Sequence, residues 1–288
     1  ISARFNKITE IIYESNALSD ENQDFIKVKD VQKAIQKKRI RNSKIEDRMN
    51  EMYRDGSYLI DVDGKKVGQI NGLAVMQVGE SVFGKPSRIT ASSYKGRYGI
   101  LNIEREVAHS GSIHDKGVLI LNGYIGNRYA KEDIPAMTTS ITFEQNYSGI
   151  DGDSASSTEL YVIISSIAGI PINQGIAVTG SMSQKGEIQP IGGVNEKIEC
   201  YYEVCRIKGL TGKQGVIIPI QNVKNLMLRD DIINSVEEGQ FHIYAISNVE
   251  EGLQILTGLT IAKIDEKVKA AFKKFSENCD EKISEKGE

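Results

Sequence analysis

The sequence predicts an α+β protein, in which a helical segment precedes a larger domain of small mixed sheets and helices. Three observations carry the prediction. Apolar residues recur at helical spacing in the first segment, residues 1–54. From residue 57 the pattern changes to short strand-like runs separated by glycine turns. Beyond residue 150, apolar strand runs alternate with amphipathic or buried helical runs. The domain boundaries follow: a helical subdomain at 1–54, a larger α+β domain at 55–260, and a charged helix and tail at 261–288.

In the first segment Phe5, Ile8, Ile11 and Ile12 mark one helix, and a polar turn follows at Ser19-Asp20-Glu21-Asn22. Val28, Val31 and Ile35 mark a second helix, which runs into a strongly charged stretch with sparse apolar positions. Tyr58-Leu59-Ile60-Asp61-Val62 before Asp63-Gly64 reads as a strand and hairpin turn. Strands are expected over Val67–Val78, Arg88–Ser92, Gly99–Ile103 and Thr139–Gln145. Gly117–Ala130 is apolar, and its Val118-Leu119-Ile120-Leu121 run fits either a strand or a helix. An apolar helix is expected from Ser154 to Ala168, stopped by Gly169 and Pro171. Strands at Ala177–Ser181 and Ile188–Ile191 lead to a helix over Gly193–Lys208. A strand at Gly215–Pro219, a partly helical stretch over 220–237, a strand at Phe241–Ala245, a helix over 248–257 and a Lys/Glu-rich helix over Lys263–Ser276 complete the chain.

Composition narrows the function classes. The net charge of −3 gives no electrostatic reason for nucleic acid as the main partner. A basic cluster at Lys37-Lys38-Arg39 and Arg41 reads as a solvated helix face rather than a nucleic-acid contact. No apolar run reaches the ~18 residues of a membrane span, and no signal peptide is visible. The chain begins at Ile1 rather than Met, which predicts a piece of a longer polypeptide. Cys200, Cys205 and Cys279 have no metal-like spacing and read as reduced thiols in a cytoplasmic protein. His109, His114 and His242 are too scattered for a zinc site, so no metal is expected.

Two motifs mislead. Gly79-Glu80-Ser81-Val82-Phe83-Gly84-Lys85-Pro86 nearly spells a phosphate-binding P-loop, but proline follows the lysine where Ser or Thr must supply a hydroxyl to Mg²⁺. Ser92-Ser93-Tyr94-Lys95 matches the Ser-x-x-Lys pattern of penicillin-recognising enzymes without their companion motifs.

The informative stretch runs from Gly152 to Lys197. Asp151-Gly152-Asp153-Ser154-Ala155 presents a serine at the head of an apolar helix. Gly192-Gly193-Val194-Asn195-Glu196-Lys197 presents a lysine early in another. A serine hydroxyl needs a base to become a nucleophile. None of the histidines sits in a motif that suggests a carboxylate partner. A lysine can serve only as a neutral amine, which requires burial to lower its ordinary pKa of about 10.4; Ile191, Val194 and Ile198 supply apolar surroundings. Gly149 and Gly152 permit unusual backbone angles, and N–H groups at the helix start are available to stabilise an oxyanion. The competing structural reading makes Ser154 an N-cap beside Asp153 and Lys197 an exposed lysine of the first turn.

These two motifs, with Ala177-Val178-Thr179-Gly180 and Gly186-Glu187-Ile188-Gln189-Pro190-Ile191 between them, resemble the proteolytic domain of the Lon family of ATP-dependent proteases. The resemblance covers residues 58–260 and is strongest over Gly149–Lys208. Gly111-Ser112-Ile113-His114-Asp115-Lys116-Gly117 and the Asp-Ser context are more similar to the LonB branch. The resemblance implies a serine endopeptidase with Ser154 as nucleophile and Lys197 as base, Thr179 hydrogen-bonding one of them, and Asp153 and Gly152 supporting the nucleophile turn. It also implies a homo-hexameric ring, unfolded or damaged protein substrates, and residues 1–54 as the last helices of an AAA+ module, in which Arg4 is a candidate nucleotide sensor without a motif to align it. No Walker motif is present, so ATP and Mg²⁺ are expected only for an ATPase part upstream, and no cofactor for this chain. Two other functions compete: a non-proteolytic ring-forming domain that binds peptides, and a nucleic-acid module built on Lys37–Arg41.

Overall fold

The computed structural model describes residues 5–20, 24–79, 81–130 and 136–284, with side chains to residue 276. Arg4, Glu80 of the P-loop-like run, the Glu21-Asn22 half of the polar turn and the side chain of Cys279 lie outside the described residues. The chain divides into two compact units, Ile1–Met52 and Tyr53–Glu288.

The first unit is helical: α1 (Phe5–Ala17), α2 (Val28–Asn42) and α3 (Lys44–Arg54), the last running past the division. α1 and α2 pack on each other. The basic cluster of α2 is largely neutralised within this unit. Lys38 pairs with Glu10, Arg41 with Glu14, and Arg39 with Glu46 at 3.5 Å. This pairing removes most of the positive field on which the nucleic-acid reading rests.

The second unit contains β1 (Lys65–Lys66), β2 (Gln69–Val78), β3 (Ser81–Lys95), β4 (Gly99–Asn102), α4 (Ile103–Glu106), α5 (Ser112–Tyr129) and β5 (Met137–Phe143). Next come α6 (Ser156–Ala168), β6 (Ile172–Asn173), β7 (Ile176–Val178), β8 (Ser181–Met182), β9 (Ile188–Gln189) and α7 (Val194–Lys208). β10 (Gln214–Pro219), a 3-10 turn at Ile220–Asn225, α8 (Asp230–Glu237), β11 (Phe241–Ile246), α9 (Val249–Thr257) and α10 (Ile261–Ser284) complete it. The strands gather into one seven-stranded sheet, β11-β10-β7-β2-β3-β5-β4, and two two-stranded ribbons, β1-β6 and β8-β9. The large sheet is mixed: β11, β10, β7 and β2 run parallel, β2, β3 and β5 antiparallel. Helices and sheets are thus both prominent, as the α+β expectation has it.

Side chains on alternate positions face opposite sides of the sheet. Ile70, Ile89, Ile141 and Ile217 form one core with α6. Gly84 lies under Cys200 of α7, where a Cβ would come within 2.3 Å of the thiol. Helices α6 and α7 therefore cover opposite faces. Strands β7 and β10 are buried throughout, as strands covered on both sides must be. Helix α6 is buried nearly all round, and each of Leu160, Val162, Ile163 and Ile164 contributes ~1.5–3 kcal/mol by leaving water. Its polar residues bond back to the sheet: Ser157 Oγ donates to the Gly180 carbonyl at 2.7 Å and Thr158 Oγ1 to that of Val178 at 3.1 Å. Gly169, at φ +62°, ends the helix in the left-handed region.

One local expectation changes, and one open alternative is decided. Tyr58–Val62 is not a strand. Ile60 and Val62 are buried, but the backbone is tied by side chains: Leu59 N–H donates to Gln145 Oε1 (2.7 Å) and Asn71 Nδ2 to the Asp61 carbonyl (2.7 Å). The ambiguous Gly117–Ala130 stretch is helical, within α5, and buries Val118, Leu121, Tyr124 and Ile125 on one face. Among the described residues no helix is long and apolar enough to cross a membrane.

Candidate active site

Ser154 lies in the turn that leads into α6, two residues before the first helical residue. It is not the N-cap; Ala155 is. Gly149 (φ +77°) and Gly152 (φ +89°) give this turn left-handed angles that other residues rarely adopt. The turn is anchored on both sides. Upstream, the Asp151 carboxylate accepts the N–H groups of Gly152, Ile113 and His114, which hold its pKa below the usual value. Gly111 is required there, because a Cβ would sit 2.3 Å from that carboxyl group. Downstream, the Ser154 carbonyl accepts the Gly180 N–H at 2.8 Å. Among the described residues the N–H groups of Asp153 and Ser154 have no acceptor.

Lys197 reaches the same point from the other face of the sheet. Gly193 caps α7 at φ +67°, and a Cβ on it would lie 2.6 Å from Val75 Cγ1. The Lys197 N–H bonds back to the Gly193 carbonyl at 3.0 Å. The side chain is 2% exposed. Its Nζ lies 3.0 Å from Ser154 Oγ and 3.0 Å from Thr179 Oγ1. Thr179, just past the end of β7, donates its own hydroxyl proton to the Ser154 carbonyl at 3.3 Å. Burial pushes the Lys197 pKa from the ordinary 10.5 down to about 8, with Cys200 and Asp153 acting weakly the other way.

The Asp153 carboxylate accepts the hydroxyl of Ser181, in β8, at 2.8 Å. Ser154, Lys197 and Thr179 are thus brought together, while Asp153 and Gly152 shape the turn. Cys200 and Cys205 are buried and in no disulfide; Cys200 donates to the Lys197 carbonyl at 3.1 Å, and burial pushes the Cys205 thiol up.

Sequence reasoning misses one feature. His114 of α5 is not isolated: its Nε2 meets Glu159 Oε1 at 2.9 Å, and both side chains are 1% exposed. The signal available is a glutamate inside an otherwise apolar helix, five positions after Ser154. Among the described residues no cluster of His, Cys, Asp and Glu is placed to hold a metal ion. The P-loop-like run is the β2–β3 hairpin. It opens no helix and offers no hydroxyl after Lys85, so the residues present do not fit a nucleotide phosphate. Ser92–Lys95 lie along β3, with Ser93 Oγ bonded to Thr139 Oγ1 at 2.9 Å.

A buried lysine amine thus touches a serine in a glycine-shaped turn, the two approaching from opposite faces of one mixed sheet, an arrangement that acyl-transfer enzymes such as peptidases can use. Comparison with known proteins agrees. Residues 39–258 match the family profile described as the Lon protease (S16) C-terminal proteolytic domain, and the chain belongs to that family. Residues 1–41 match the LID domain of the archaeal LonB AAA+ ATPase. Among relatives, a protein named putative Lon protease homolog from Escherichia coli K12 is 41% identical over 227 residues, covering 78% of this chain and 39% of the relative. A protein of the same name from Haemophilus influenzae is 41% identical, covering 69% of this chain and 33% of its own length. The archaeal Lon protease of Archaeoglobus fulgidus is 31% identical, covering 81% of this chain and 35% of its own. The chain therefore spans between a third and two-fifths of the length of these relatives.

Proposed function

We propose that the chain is a serine endopeptidase that works through a Ser154–Lys197 dyad. The observation that carries this is Lys197 Nζ, buried and 3.0 Å from both Ser154 Oγ and Thr179 Oγ1. The proton on Thr179 is directed to the Ser154 carbonyl, so the Thr179 oxygen is an acceptor toward the amine. A neutral amine then donates one N–H to Thr179 and turns its lone pair to the serine hydroxyl. With its pKa near 8, a useful fraction of the amine is neutral at slightly alkaline pH.

Lys197 takes the proton of Ser154 as Oγ attacks the peptide carbonyl. In this reading the N–H groups of Asp153 and Ser154 receive the oxyanion. Protonated Lys197 returns the proton to the leaving amine, and the acyl-enzyme forms. Lys197, neutral again, takes a proton from the water that attacks the ester, and returns it to Ser154 Oγ as the carbon–oxygen bond breaks and the acid leaves. The site uses only side chains and backbone of this chain.

The relatives' greater length supports a wider role. In this reading the chain is the proteolytic part of an ATP-dependent ring, a homo-hexamer acting in the cytoplasm on unfolded or damaged proteins. Nucleotide chemistry belongs to another part of the polypeptide. The test is cleavage of unfolded casein by the chain beside Ser154→Ala and Lys197→Met. Cleavage lost in both folded variants supports the dyad; cleavage kept in either one removes it.

A further inference from the structure

A cleft of about 100 Å³ opens between β2, the facing part of β3 and the loop before Ser154. Val75, Met76, Lys85, Phe143, Ser148 and Asp151 line it. It adjoins both halves of the dyad: Asp151 begins the nucleophile turn, and Val75 packs on Gly193 at the cap of the Lys197 helix. Beside it, β2 pairs with β7 only at Asn71 and Gly72, so from Leu73 onward its second edge carries no strand of the large sheet.

Lys85 is the unusual member. It lies opposite Ala74 in the β2–β3 register and is half-buried. Among the described residues no carboxylate forms an ion pair with it; its ammonium stands 5.9 Å over the Tyr58 ring. Burial lowers its pKa. Asp151 lines the same cleft but forms no ion pair with Lys85; its carboxylate accepts the N–H groups of Gly152, Ile113 and His114. A partly desolvated cation without an anion is costly, and an entering carboxylate relieves that cost. The volume, about 100 Å³, suits a short side chain rather than a large one.

We propose that this cleft is a substrate subsite selective for an acidic side chain, with Lys85 as the specificity-determining charge. The proposal rests on the peptidase reading given above and names the substrate class that this site prefers: extended peptides with Glu or Asp near the cleaved bond.

The test separates the two ideas by measuring binding apart from cleavage. The 288-residue chain carrying Ser154→Ala is titrated with one extended fluorescent peptide. A single Glu, Leu or Lys is placed in turn at each of four positions around the central bond. At one position, affinity for the Glu peptide should exceed that for the Lys peptide tenfold or more. Adding Lys85→Met should level the preference, and Lys85→Glu should reverse it. A Glu-to-Lys ratio unchanged by both substitutions overturns the proposal, as does the absence of measurable binding by every peptide. Failure of the peptidase reading shows separately, as no hydrolysis of any of these peptides by the chain with Ser154 intact.

Discussion

His114 and Glu159 hold each other across the base of the nucleophile turn, 2.9 Å apart and almost without exposure to solvent. The backbone N–H of His114 also donates to Asp151 at 3.4 Å. One residue of α5 therefore grips the chain before Ser154 and again after it. Asn102 touches the other ring nitrogen at 3.4 Å, and Phe143 meets the ring edge-on. Desolvation lowers the His114 pKa, but the bond to Glu159, with Asp115 and Glu104 nearby, outweighs it and raises the pKa above the ordinary 6.5.

A raised folded-state pKa means that this contribution is fully present below the unfolded value of 6.5 and is lost as pH rises through the higher folded value. The stability difference between the chain and its Glu159→Gln variant should therefore be largest in mildly acid solution and shrink on moving to alkaline pH, as read by urea unfolding. In that variant the His114 imidazole, left with desolvation and a neutral partner, should titrate lower than in the parent by NMR. His114→Ala leaves Glu159 buried, one of whose oxygens already has no partner, and should cost ~3–5 kcal/mol.

Lys197→Met should stabilise the chain while abolishing cleavage. Burial of an amine whose pKa falls from 10.5 to about 8 costs ~3 kcal/mol at neutral pH. Losing the bonds to Ser154 and Thr179 offsets part of the gain, leaving about 1–2 kcal/mol. Here the sign is opposite to that of His114. The unfolded lysine binds more protons than the folded one between pH 8 and 10.5, so parent stability rises across that window and the advantage of the variant fades. Denaturant midpoints at pH 7 and pH 10 check both parts.

Thr179→Val removes the acceptor of the lysine N–H and the donor to the Ser154 carbonyl while keeping the shape. The expected loss in kcat is ~10- to 1000-fold, with KM little changed. Thr179→Ser, which retains the hydroxyl, should recover most of the rate.

Gly193→Ala tests the placement of the lysine helix. The new Cβ would meet Val75 at 2.6 Å, and the backbone angle of +67° is strained for alanine. A loss of ~1–3 kcal/mol is expected. Adding Val75→Ala should return only the steric share, as measured by thermal unfolding.

Much of this site is legible in the amino-acid sequence. Ser154 and Lys197 are 43 positions apart, yet each is announced locally, by a small-residue turn before an apolar helix and by a Gly-Gly turn before another. Thr179 needs the family resemblance, since a threonine after a buried strand has no chemical signature of its own. The His114–Glu159 contact spans 45 positions and leaves no periodic trace, because each partner is set by the packing of α5 on α6. Helix α5 is ambiguous in sequence because Gly117, Gly123 and Gly126 blur the period of its apolar face. Tyr58–Val62 alternates like a strand, but its backbone partners are side chains of Gln145 and Asn71, which no local pattern reveals. Lys85 stands out in the sequence only as part of a P-loop-like run, and its significance depends on the fold that buries it beside Asp151.

The most direct test of the dyad is the pH dependence of Ser154 acylation by a small active-site-directed ester, followed by intact-mass measurement. The account predicts a rate that rises with an apparent pKa near 8 and then levels, modification confined to Ser154, and none in Lys197→Met. Acylation that persists in Lys197→Met, or that tracks a group titrating near the ordinary histidine value, would contradict it.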